Sequence, residues 1–222
     1  MKRIKRWTIA LFVLTMGLAL TACSGQNAGE EALQNEPMAP FDTLRQPQAS
    51  QGKESSEENG RILVAYFSAT GNTEAVAQII ADQLEADLLE IVPAQPYTEA
   101  DLNYTDDACR ANREQNDPNT RPEIATTLDN IENYDVVLLG FPIWWGQEPR
   151  ILDTFVESYD LSNKTVAAFC TSGSSGIGTA ESNLQKLCGM QVNWAGSHRF
   201  AQGADESAVT DWLSTFDFAK DK

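Results

Sequence analysis

Short apolar runs alternate along the chain with segments whose apolar positions recur three and four residues apart. "RILVAYF" (61–67) is β-branched, aromatic and aliphatic, short enough for a strand and too apolar for an exposed one. In "TEAVAQIIADQLEA" (73–86), Val76, Ile79, Ile80 and Leu84 share one helical face, with Glu74, Gln78 and Asp82 off it. "DLLEIVP" (87–93) predicts a second strand, stopped by Pro93. "YDVVLLGFP" (134–142) predicts a third, apolar enough to be buried on both faces. Pro149 suits the first turn of a helix over "PRILDTFVESY". "KTVAAFC" (164–170) is a fourth strand, and "IGTAESNLQKLCG" (177–189) a helix closed by Gly189. "QVNWAGSHRF" (191–200) holds a fifth strand, and "DESAVTDWLSTFDFAKD" a last helix.

Strands that alternate with helices call for a parallel sheet with helices on both faces and right-handed crossovers. The expected class is therefore α/β, a doubly wound sheet in three layers. Residues 94–130 break the rhythm. They are long, polar and only partly helix-like, and read as an excursion over the surface.

The N-terminus is of another kind. Lys2, Arg3, Lys5 and Arg6 precede an apolar run from Trp7 to Ala22. That run is short for a membrane span, which needs about 20 residues. A basic start, a short apolar core and small residues near its end fit an export signal over 1–22. The stop "LTAC", Leu20 to Cys23, resembles the lipobox of bacterial lipoproteins. That resemblance implies cleavage before Cys23 and a lipid on its thiol; an ordinary signal or a single anchoring helix is the alternative. Residues 23–60 are rich in Ser, Gln, Glu, Pro and Gly with few large apolar residues, so a disordered tether is expected. Residues 61–222 have single-domain length.

The formal net charge is −16. The leader carries four of the 16 basic residues and no acidic one, so its loss takes the charge from −16 to −20. Such a protein is repelled by nucleic acid and by anionic membrane surfaces. Its acidity either steers it to a basic partner protein or serves only solubility. Cys109, Cys170 and Cys188 show no metal-ligand spacing, and His198 has no second histidine to pair with, so no metal site is expected. About ten helical residues separate Cys170's loop from Cys188, roughly 15 Å of rise. A disulfide needs Cα atoms within about 7 Å, which disfavours Cys170–Cys188; Cys109 reaches Cys170 only if the excursion folds over the site, and free thiols are expected.

In a doubly wound sheet, ligands bind beyond the carboxyl ends of the strands. Three loops emerge there: "SATGNT" (68–73), "FPIWWGQE" (141–148) and "TSGSSGIG" (171–178). In the first, Gly71 permits a tight turn, and the helix start offers free N–H groups to an anion. Ser68, Thr70 and Thr73 add hydroxyls. There is no Gly-Lys-Ser/Thr and no GxGxxG, which leaves a terminal phosphomonoester held by neutral donors, or a plain turn with Ser/Thr as caps. Trp144 and Trp145 offer an aromatic wall, unless one or both pack in the core. The third loop suits the polar edge of a planar ligand, or is only a flexible connection.

With these motifs the domain resembles a flavodoxin. The family's phosphate loop, T/S-x-T-G-x-T, matches at Ser68, Thr70, Gly71, Asn72 and Thr73. "FPIWWG" and "TSGSSG" resemble the two flavin-flanking loops of the bacterial flavodoxin-like branch, and "YTEADLNYTDDACRANREQNDPNTRPEI" resembles an insertion in that branch. The resemblance, from Arg61 to about Phe218, implies a five-stranded sheet of order 2-1-3-4-5 and non-covalent FMN. It implies that Ser68, Thr70, Gly71, Asn72 and Thr73 hold the phosphate. Pro142, Trp144, Trp145 and Gly146 then flank the flavin, and Thr171, Ser172, Gly173 and Gly176 line its other edge. Where long flavodoxins carry an aromatic in the second flavin loop, this chain has Ser and Gly. Stacking on one face only, with room for a substrate on the other, is the expectation.

Three functions follow. One is an electron carrier, lipid-anchored outside the cytoplasm, that serves a redox partner protein. A second is an NAD(P)H-dependent FMN oxidoreductase acting on quinones or similar acceptors, with Arg110, Arg113 and Arg121 meeting phosphates or an acidic substrate. Against that role, Arg110 and Glu114 form an i,i+4 pair. A third is a tethered lipoprotein that binds a phosphorylated ligand without redox chemistry.

Overall fold

The structure, a computed structural model, describes residues 60–219. The expected leader, Cys23 and the tether up to residue 59 lie outside the described residues. Among the described residues no helix is long and apolar enough to cross a membrane.

Five parallel strands form one sheet in the order β2-β1-β3-β4-β5. They are β1 (Ile62–Tyr66), β2 (Asp87–Glu90), β3 (Val136–Pro142), β4 (Thr165–Thr171) and β5 (Asn193–Phe200). Every residue of β1 is buried, and so are Val136–Phe141 of β3 and Val166–Thr171 of β4. These central strands are covered on both faces, which is why they are nearly unbroken apolar runs. Alternate residues serve two cores. Leu63, Ala65, Val137, Leu139 and Phe141 point to one face, packed with Ile151, Leu152 and Phe155 of α3 (Arg150–Ser158) and Leu184 of α4 (Gly178–Cys188). Ile62, Val64, Tyr66 and Leu138 point to the other, packed with Val76, Ile80 and Leu84 of α1 (Asn72–Leu84) and Val209 and Trp212 of α5 (Glu206–Leu213). The architecture is the expected three layers.

Close approach of β3 to β4 rests on Gly140. It pairs with Phe169, whose ring lies where a Cβ would be: the nearest ring atom is 2.2 Å from that point.

Strand order reverses between β1 and β3. The chain leaves β1 towards β2 and leaves β3 towards β4, so the loops after β1 and β3 part and open a crevice between them.

Several boundaries differ from the sequence reading. β2 ends at Glu90, before Pro93, because Pro93 and Ile124 instead form an isolated antiparallel bridge. Pro149 sits at the N-cap of α3 with extended backbone (φ −64°, ψ 141°) rather than in its first turn. The last helix stops at Leu213, and a separate 3-10 turn follows at Asp217–Ala219.

The excursion is a built element. Its ends are tied beside β2 by Ala94 N to Glu123 O and Ala125 N to Val92 O, each 2.8 Å. The Thr126 hydroxyl donates to Glu90 O and accepts from Val92 N. Between them lies a short helix, α2 (Arg110–Asn116), with Ala111, Asn112 and Gln115 buried. Cys109 caps it: Asn112 N donates to Cys109 Sγ over 3.4 Å. Tyr97 packs its ring against Phe67 and Trp144, 5.7 and 5.3 Å between centroids. This segment, expected to cross the surface, is folded against the carboxyl ends of the strands.

Candidate functional site

β1 ends in the loop 68–73, and α1 starts from it through Gly71, whose φ of 82° is the left-handed conformation that glycine adopts without steric cost. No side chain caps α1. The first-turn amides, which have no partner inside a helix, are thus left to point out of the loop. This separates the two readings of the loop, because Ser/Thr acting as caps would have consumed those donors. The Thr70 hydroxyl is steadied by Asn72 Nδ2 at 2.9 Å, and Thr70 and Gly71 are exposed. Thr73 behaves differently. It is buried, and its hydroxyl meets that of Thr171 at 2.8 Å, joining the start of α1 to the end of β4.

After β3, Trp144 and Gln147 exchange two backbone hydrogen bonds of 2.9 Å. Trp145 and Gly146 occupy the two positions between them, with φ of 48° and 78°. A hairpin turn of this kind needs two left-handed residues, and a tryptophan in the first is strained by about 1–3 kcal/mol. Trp144 turns to the core, edge-on to Phe67 at 5.6 Å, while Trp145 is 47% exposed. The pair therefore divides into a packing residue and a presented one.

Beneath this turn lies a buried charged cluster. Glu148 is fully buried; its carboxylate accepts from Asn183 Nδ2 at 3.1 Å and lies 3.7 Å from Arg150. Arg150 also faces Asp153 at 3.3 Å and donates to Gln115 O and Gln147 Oε1. Gln115 Nε2 in turn donates to Glu148 O at 2.9 Å. Burial, reinforced by Asp153, pushes the Glu148 carboxyl up to about 7, although Asn183 and Arg150 favour its charged form. The cluster binds the Trp145 turn to α2, α3 and α4 at once.

A cleft of about 760 Å³ opens between these parts. Ala69 and Thr70 line it from the first loop, Pro142, Ile143, Trp144 and Trp145 from the second, and Ser172–Ser175 from the third. Leu102, Tyr104 and Ala111 line it from the excursion. No lysine or arginine does. Gly71, Asn72 and Thr73 form the helix start next to Thr70. Ser68 and Gly146 are half-buried neighbours of lining residues. Thr171 is buried with Thr73, and Gly176 is exposed outside the lining. The excursion residues escape sequence reasoning, although Leu102 and Ala111 are apolar points in a polar stretch. A second recess, lined by Cys188, Met190 and Trp194, lies at the opposite ends of the strands and has no comparable loop.

The three arginines of the excursion are committed elsewhere. Arg110 pairs with Glu114 at 2.6 Å and lies over the Tyr97 ring at 4.1 Å. Arg113 donates to Ala108 O, and Arg121 grips both Glu157 oxygens at 2.7 Å. Of the two roles weighed for them in the sequence, phosphate or substrate contacts and pairing, the structure shows pairing: Arg110 and Arg113 bond within the excursion, and Arg121 ties it to α3. Cys109, Cys170 and Cys188 are unpaired thiols; burial pushes Cys170 up to about 12, against the pull of Arg199, and Cys188 up to about 11. His198 packs against Phe200 and Trp212.

The flavodoxin family profile matches residues 61–216, most of the chain. The chain belongs to the flavodoxin family. A crystal structure of a candidate flavoprotein from Bacteroides eggerthii is 45% identical, with a TM-score of 0.66, over 70% of this chain and 97% of that one. One from Bacteroides uniformis is 42% identical, TM-score 0.67, over 71% and 99%. A flavoprotein from Lactobacillus acidophilus, crystallised in complex with FMN, is 25% identical, TM-score 0.53, over 69% and 98%. Membership of the flavodoxin family supports FMN as the cofactor, and the cleft offers free amides, a hydroxyl, an exposed aromatic ring and a polar loop.

Proposed function

We propose that this protein is an FMN-binding electron-transfer protein held outside the cytoplasm by a lipid on Cys23. The cofactor is FMN. The uncapped start of α1, opening into a cleft walled by Trp145, carries this reading. The α1 amides and Thr70 hold the phosphate; Trp145 and the Ser172–Ser175 loop orient the ring. Bound FMN supplies the redox chemistry. The protein sets how easily charge accumulates. An acidic chain with no cation on the cleft opposes added negative charge there and lowers the midpoint potential.

Two other functions compete. An NAD(P)H-dependent oxidoreductase loses support because the arginines that were to meet the nucleotide are engaged elsewhere, Arg110 with Glu114 in the excursion and Arg121 with Glu157 of α3. A non-redox binder of phosphorylated ligands makes no use of Trp145. The basic start, apolar run and "LTAC" support export and lipidation, and the net charge of −16 suits a basic redox partner.

Calorimetric and absorbance titration of purified protein with FMN tests the cofactor: one saturating site is expected, and absence of binding overturns the proposal. Rapid, saturable NAD(P)H oxidation by the FMN-loaded protein alone would replace the carrier with the oxidoreductase. For the anchor, Cys23→Ser is expected to move the protein from the membrane fraction to the soluble one.

A further inference from the structure

Five large apolar side chains are exposed among the described residues: Leu88, Val92, Tyr104, Trp145 and Met190. Two of the five line one cleft, and these are the two aromatic ones. Tyr104 is 73% exposed, and its hydroxyl has no hydrogen-bond partner among the described residues. An aromatic left bare beside a cleft forgoes its burial free energy unless something else covers it.

The backbone around Tyr104 is held in place. The Tyr104 carbonyl accepts from Asn112 Nδ2 at 3.3 Å, and the same amide donates to Asp106 O at 2.7 Å. Asn112 is buried, with 4% exposure, and lies one turn into α2. Cys109 N donates to Asp106 O at 3.0 Å, Ala111 N to Asp101 O at 3.0 Å, and Leu102 N to Thr98 O at 3.2 Å. The turn 98–109 is thus fastened from inside by a buried amide side chain, while Tyr104 stays exposed at the cleft. Ser172, Gly173, Ser174 and Ser175, which line the same cleft, offer it no aromatic surface.

We propose that Tyr104 is a second flavin-contacting wall: the excursion supplies, from Tyr104, the aromatic surface that the Ser172–Ser175 loop lacks. The inference rests on FMN being the cofactor and adds a contact from a part of the chain outside the three loops. Its consequence is that the second face of the ring is not free for a stacked substrate; electrons must leave through an edge, as suits a carrier.

The test compares wild type, Tyr104→Phe and Tyr104→Leu, with melting curves to confirm that all three fold. Tyr104→Leu is expected to raise the Kd for FMN about threefold to tenfold, as loss of an aromatic pair does. It should raise the Kd for riboflavin by the same factor, because the phosphate is not involved. Tyr104→Phe should bind like wild type. In protein labelled with fluorotyrosine, the chain's 5 tyrosines give few signals. The Tyr104 resonance, assigned by its loss in Tyr104→Phe, should shift on FMN addition and saturate together with the absorbance change. If wild type binds FMN while Tyr104→Leu keeps its Kd and the resonance stays still, the wall is refuted and the cofactor stands. If wild type binds no FMN, both fall.

Discussion

Thr73 and Thr171 share one buried hydrogen bond of 2.8 Å between their hydroxyls, and through it the helix that starts at the anion loop is fastened to the end of β4. Neither oxygen faces water, so removing one strands the other. Thr73→Val is expected to lower stability by about 1–3 kcal/mol, and Thr73→Val with Thr171→Val together to recover much of that loss. Urea unfolding of the single and double variants measures it. A double variant as unstable as the sum of the singles would mean that the two hydroxyls do not depend on each other.

Gly140 faces the Phe169 ring with no room for a methyl group. Phe169 is fully buried between the strands and the aromatic cluster of Phe200 and Trp212, so it has little freedom to retreat. Gly140→Ala is expected to cost about 1–3 kcal/mol by overpacking. Combining it with Phe169→Leu should restore part of the loss, read from denaturant midpoints.

Glu148 makes stability fall as pH rises. Burial raises its carboxyl from the ordinary 4.5 to about 7 in the folded protein. The folded state therefore holds a proton that the unfolded state releases first. The contribution is complete below the unfolded value and is lost as pH climbs to about 7, with a slope of at most about 1.4 kcal/mol per pH unit. Asp153, also raised by burial, has the same sign, while Arg150 opposes both shifts and Arg121 opposes that of Asp153. Exposed carboxylates such as Asp87 and Glu157 are lowered by their partners and act in the opposite sense, at lower pH. Melting temperatures between pH 5 and 8 should decline in wild type and be flatter in Glu148→Gln.

The two tryptophans should part company under mutation. Trp144→Ala removes a ring packed on Phe67 and Tyr97, at a cost of about 2–3 kcal/mol, less than a fully buried aromatic. Trp145→Gly relieves the left-handed strain at φ 48° and should raise apo stability by about 1 kcal/mol while weakening FMN binding. Calorimetry in the presence and absence of FMN separates the two effects. If Trp145→Gly bound FMN as tightly as wild type, the presented ring would have no part in the site.

The strands were legible because β1, β3 and β4 are buried on both faces, so each reads as an apolar run whatever its neighbours are. The three loops that line the cleft were legible for a related reason: glycine and serine gathered at strand ends have no use in a core. The excursion was not. Its polar residues, Asn112 and Gln115, are buried because they bond the turn 98–109 and Glu148, partners that no local pattern reveals. Periodicity counts such residues as surface. The tryptophans could be placed at the site but not told apart, since the choice depends on Tyr97, 47 residues before Trp144 and in contact with it only in the fold. The Arg110–Glu114 pair was legible from its i,i+4 spacing, whereas the partner of Arg121, Glu157 on α3, lies 36 residues away and is met only in the fold.

In the proposed site the loop 68–73 would hold phosphate by dipoles alone, with neither lysine nor arginine lining the cleft, in a chain of net charge −16. A phosphate dianion must therefore approach against the field of the whole molecule and is gripped only at short range. Added electrolyte weakens that long-range repulsion more than it weakens contacts made within one helical turn. Capture of FMN should speed up with ionic strength, the reverse of what a cation-lined pocket shows.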